Sequence, residues 1–119
     1  MKDENADELN IRYTSYILKK IQLSEILLIN AERKVKSVIN RNSKDEAVIQ
    51  LGNNFSRLIL LEKIKISIQK DMINSIKKDK LNITNETNQT INKNVHSIKI
   101  EVMEIHKKIR HFVSLVSKI

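Results

Sequence analysis

The chain contains no proline, no cysteine, no tryptophan and a single glycine, Gly52, among 119 residues. Strand-rich folds use glycine and proline to punctuate their hairpins, whereas helices joined by short polar loops need neither, so these absences point to an all-α protein. Without cysteine there is no disulfide framework and no thiolate for metal or redox chemistry. Aromatic side chains are limited to Tyr13, Tyr16, Phe55 and Phe112, too few to build the stacking platforms on which single-stranded nucleic acids lie. No run approaches the roughly 20 apolar residues of a membrane-spanning helix. The opening MKDENADELN carries four carboxylates and lacks the basic start and apolar middle of a secretory signal. The expectation is a chain without a signal peptide or transmembrane segment, in the cytoplasm or another intracellular space.

What is present is periodicity. Ile91, Val95, Ile98, Val102, Ile105, Ile109, Phe112, Val116 and Ile119 alternate four and three residues apart, which sets all of them on one stripe of a helix. Ile17, Ile21, Ser24, Leu28, Ala31, Val35 and Val38 repeat the pattern near the other end of the chain. Between them, Val48, Leu51, Phe55 and Leu58 suggest one stripe, followed by a broader apolar zone through Leu60, Leu61, Ile64, Ile68, Met72 and Ile76. Ser43-Lys44-Asp45-Glu46 has the spacing of a capping box that opens the second helix. The reading is one domain over residues 1–119, an elongated, coiled-coil-like antiparallel three-helix bundle with helices at about 6–40, 43–80 and 84–119. A break at the Gly52-Asn53-Asn54 weak point would make it four helices.

The string Asn82-Ile83-Thr84-Asn85-Glu86-Thr87-Asn88-Gln89-Thr90 holds three successive Asn-x-Thr triplets, and Asn54-Phe55-Ser56 is a further sequon. Glycans three residues apart would crowd one another, and glycosylation requires a secretory lumen. Asn and Thr compete with the backbone for hydrogen bonds, so the string reads instead as the joint and polar first turns of the third helix. In an up-down-up bundle its Thr84 and Asn88 would share a layer with Asn10 and Thr14.

Two runs of four apolar residues, Ile26, Leu27, Leu28, Ile29 and Leu58, Ile59, Leu60, Leu61, must point all around their helices and cannot all enter one seam. An antiparallel hairpin sets them at similar height, as an apolar belt that marks a partner interface. Lys63, Lys70 and Lys77 recur every seven residues, continued by Lys78 and Lys80, while Lys107, Lys108 and Arg110 cluster on the third helix. With a net charge of +8, such columns could track phosphates. The preponderance of lysine over arginine and the scarcity of aromatics disfavour base reading, and the plainer interpretation is a solvated face.

Catalytic chemistry finds little support. His96, His106 and His111 are not paired at i, i+4 and have no Glu-x-x-His partner, and no glycine-rich loop or strand-turn-helix context activates the many Ser, Thr and Lys residues. The sequence therefore predicts a nonenzymatic protein without cofactor or metal. The leading expectation is a helical interaction module, an assembly subunit, adaptor or small chaperone-like protein that pairs through its belt with a second copy or another helical protein. A basic bundle binding nucleic acid or another polyanion is the alternative, and a small inhibitor or immunity-type protein would share the features of the first.

Overall fold

A computed structural model describes residues 2–79 and 85–117, with side chains described for 12–76 and 89–117. Three helices, α1 (Lys2–Arg41), α2 (Glu46–Asp79) and α3 (Asn85–Ser117), each pack against the other two in a rod of 65 × 19 × 19 Å. Ion pairs from Lys63 to Glu32 and from Lys70 to Glu25 run in opposite senses along the two chains, which makes α1 and α2 antiparallel.

The seams of α1 and α3 follow their four-three spacing. Ile17, Ile21, Ser24, Leu28, Ala31, Val35 and Val38 are buried, as are Ile91 through Phe112, with Val116 half-buried; Ile119 lies outside the described residues. Burying one apolar stripe per helix supplies most of the stability of such a bundle, because isolated helices are marginal in water. Thr14 is buried at the polar end of the α1 seam. The expected layer with Asn10, Thr84 and Asn88, and the joint around residue 82, fall outside the described side chains.

The seam of α2 differs from the one its apolar residues suggest. The buried positions are Val48, Gly52, Ile59, Glu62, Ile66, Gln69, Ile73 and Ile76, with the half-buried Phe55 completing the four-three spacing. Leu51, Leu58, Leu60, Leu61, Ile64 and Ile68 are exposed. α2 thus turns a glycine, a glutamate and a glutamine inward, and much of its greasiest surface outward. Near the α1–α2 turn the core closes with Val38, Val48 and Phe112, and the Phe55 and Phe112 rings lie 5.3 Å apart at 46°.

The start of α2 corrects a second expectation. Asp45, rather than Ser43, is the capping residue: its Oδ1 accepts from the Ala47 and Val48 amides at 3.1 and 3.3 Å, so the helix opens at Glu46. Asn42 closes α1, its side-chain Nδ2 donating to the Val38 carbonyl at 2.8 Å.

Gly52 does not break α2, which runs unbroken through it. The glycine is buried against α1, where an added Cβ would sit 2.6 Å from Cγ1 and Cδ1 of Ile39. Gly52→Ala should therefore lose about 1 kcal/mol of stability despite its better helix propensity, because Ile39 must move. In an Ile39→Ala background the same change should gain about 1 kcal/mol, a reversal of sign that urea denaturation of the four proteins would read.

Candidate interaction face

Heptad spacing assigns the outward apolar residues of α2 to sides. Leu51 lines a groove of about 500 Å³ between α2 and α3 with His111 and Leu115, and Ile68 lines one of about 290 Å³ with Asn94 and Ser97. Leu58 is seven residues from Leu51 and Leu61 is seven from Ile68, so all four share the α3 side of α2. Leu60 is seven residues from Ser67, which lines the opposite groove, of about 350 Å³, with Ile29 and Lys63.

The eight belt residues are accordingly divided. Leu28 and Ile59 belong to the core, Leu27 is half-buried against it, and Ile26, Ile29, Leu58, Leu60 and Leu61 are exposed. Ile29 and Leu60 flank the α1–α2 groove, whereas Leu58 and Leu61 look toward α3. The continuous belt expected from the sequence resolves into separate faces, of which the α2–α3 face carries the longer row.

Beneath that face lies the least expected residue of the core. Glu62 is only 2% exposed, on the seam between Ile59 and Ile66. Lys65 Nζ stands 3.5 Å from Glu62 Oε2 and 2.8 Å from Glu101 Oε2, bridging the two carboxyl groups. Burial, and then the neighbouring Glu101, push the Glu62 carboxyl up to about 7, while the hydrogen bond it donates holds Glu101 below the usual carboxylate range, with Lys65 reinforcing that. The arrangement is an acid–carboxylate pair tied by an ammonium group. Glu62 Oε1, and Oε1 of the buried Gln69 one heptad on, have no hydrogen-bond partner among the described residues. The core is polar on the side where the outward leucines of α2 are aligned.

The lysine column is balanced by a feature the sequence reading passed over. Glu25 and Glu32, seven residues apart on α1, receive Lys70 at 3.1 Å and Lys63, and Glu32 also takes Lys36 at 3.1 Å. Lys63, then Lys36, hold the Glu32 carboxyl below its ordinary range. Two of the predicted phosphate-tracking lysines are thus engaged within the bundle, and the side chains of Lys77, Lys78 and Lys80 lie outside those described. Lys107, Lys108 and Arg110 are exposed on α3.

His96 and His111 are exposed; His106 is half-buried toward α1, its imidazole pushed down by burial and by Lys34 and Arg110. No group of three potential metal ligands occurs among the described residues, and no helix among them is long and apolar enough to cross a membrane. No protein-family model, curated protein or solved structure matches the chain.

Proposed function

We propose that this protein is a noncatalytic helical interaction module that docks another helical surface across its α2–α3 face. The observation that carries this reading is the inversion of α2: Glu62 and Gln69 are turned into the core while Leu51, Leu58, Leu61 and Ile68 stand outside. A helix whose sequence served only a three-helix monomer would bury those leucines and expose the carboxylate, since each buried leucine contributes about 2 kcal/mol and an unpaired buried polar atom costs about 1–3 kcal/mol. Aligned apolar side chains bordering grooves are the usual mark of an interface. Against a polyanion-binding role stands the pairing of Lys63 and Lys70 with Glu32 and Glu25, which neutralises those two members of the column within the bundle.

The test is absolute mass by light scattering at low and high salt, on wild type and on Leu58→Lys/Leu61→Lys. The expected result is an assembly larger than one chain that survives high salt, and a helical monomer for the double variant. Equal masses for the two proteins, with equal helicity, would overturn the reading.

A further inference from the structure

We infer that the occupant of the α2–α3 face is a second copy of this chain, joined antiparallel about a two-fold axis that crosses both helices. The inference rests on the interaction-module reading and specifies its partner and register. A two-fold interface must be self-complementary, residue i meeting j while j meets i. The α2 row meets that condition. The point midway between Leu58 and Leu61 is also midway between Leu51 and Ile68, and between Asn54 and Lys65. An axis there would seat Leu58 on the second copy's Leu61 and Leu51 on its Ile68, apolar against apolar, with Asn54 against its Lys65, polar against polar, between them.

The matching row on α3 is self-complementary in charge. Glu101, Glu104, Lys108 and His111 run in the order acid, acid, base, imidazole, and the midpoint of Glu104 and Lys108 is also that of Glu101 and His111. The same rotation therefore sets Glu104 opposite the second copy's Lys108, and Glu101 opposite its His111, whose ring N–H can donate to the carboxylate. A parallel pairing in equal register would instead face Glu104 with Glu104 and Lys108 with Lys108.

The two midpoints stand at one height. Lys65 lies about five residues beyond the α2 midpoint and Glu101 about five before the α3 midpoint, and these two side chains meet at 2.8 Å. Because the helices run in opposite directions and the two counts differ by less than about one residue, both midpoints fall at nearly one level. Leu51 and Leu115, which border one groove, give the same level from the other end. A single axis thus serves the leucine row and the charged row together. The leucines would supply the affinity and the charges the register.

The paired area sets the working concentration. The α2 row is about 25 Å long, and the rod is 19 Å wide, so each copy offers roughly 500 Å² and the pair about 1,000 Å². That is the lower limit for a specific interface and suits micromolar dissociation, so the mass measurements should extend to about 200 µM.

The test uses Glu104→Lys and Lys108→Glu as separate full-length chains. Each alone should dimerise at least tenfold more weakly than wild type, because each juxtaposes like charges twice across the axis. An equimolar mixture should restore dimers to near the wild-type level, since both contacts become opposite in sign only in the mixed pair; a pairing confined to α2 could not respond to mixing. As a readout independent of charge, the chain's lack of native cysteine allows Leu51→Cys and Ile68→Cys chains to be mixed and oxidised. The mixed disulfide should exceed either homodimeric disulfide several-fold. A wild-type monomer at 200 µM would overturn the inference. A dimer lost on Leu61→Lys, with no recovery on mixing and no preference for the mixed disulfide, would overturn the geometry and leave the docking face standing. A dimer indifferent to Leu61→Lys would overturn both.

Discussion

Glu62→Leu is expected to stabilise the protein by about 1–4 kcal/mol at pH 8, measured by urea denaturation at low micromolar concentration. The carboxyl is 2% exposed and its second oxygen has no partner among the described residues, so a leucine of similar volume removes a desolvated polar group and opens no cavity. Lys65 keeps its contact with Glu101 at 2.8 Å, so the substitution leaves no orphaned charge. The effect should depend on pH in a definite direction. With its pKa raised from 4.5 to about 7, the folded state holds the Glu62 proton more tightly than the unfolded chain does. Below pH 4.5 both states are protonated and the residue imposes no ionisation penalty. Between pH 4.5 and 7 the unfolded state gains by ionising, and above 7 the accumulated loss is about 3 kcal/mol. Glu32 and Glu101, whose carboxyls are held low, act in the opposite sense, but both are partly solvated and screened. The comparison that isolates Glu62 is therefore wild type against Glu62→Gln from pH 4 to 8. The stability difference should favour the variant increasingly as pH rises, and a flat difference would contradict the buried, proton-sharing arrangement.

The second large effect separates two neighbours in one apolar run. Ile59→Ala should cost about 2–5 kcal/mol, whereas Leu60→Ala should fall within about 0.5 kcal/mol of wild type. Ile59 is 1% exposed in the core and Leu60 is 57% exposed, although nothing in Leu58-Ile59-Leu60-Leu61 distinguishes them by composition. Thermal or urea unfolding of the two variants reads the contrast directly. Similar losses at both sites would mean that α2 is rotated about its axis relative to the register described above.

That contrast also shows which features were legible in the sequence. The seams of α1 and α3 could be read because the residues that repeat at four and three are almost all apolar, and the other apolar residues of those helices, such as Leu23, Ile26, Ile100 and Met103, sustain no repeat of comparable length. α2 carries two stripes. The outward one, through Leu51, Leu58, Leu61 and Ile68, is interrupted by Asn54 and Lys65, and the inward one by Gly52, Glu62 and Gln69. Hydrophobicity alone does not decide between them, because burial of a shared proton and close packing at a glycine both depend on what the other helices bring. One signal could have decided the matter. Glu25 and Glu32 on α1 and Lys63 and Lys70 on α2 are matched seven-residue pairs that can meet only if Glu62 and Gln69, each one residue before a lysine on the helical wheel's inner side, face the core. The interaction face followed the same division: its location near mid-bundle was visible in the two apolar runs, but its side was not.

The short connection Asn42–Asp45 bears on how the bundle assembles in time. Asp45 caps one helix and Asn42 ends the other, so the turn holds its ends close with hydrogen bonds that need no distant residue. Val38 and Val48, which bury together beside it, are separated by few residues, so closing that contact forfeits little chain entropy. One further turn along α2, Gly52 then makes room for the Ile39 side chain of α1. Folding should start at this end and zip α1 against α2 toward the far end, with α3 adding its stripe to a hairpin already formed. Substitutions at Val38 and Val48 would then slow refolding, while substitutions at Ile91 and Val95, on the last element to dock, would chiefly hasten unfolding.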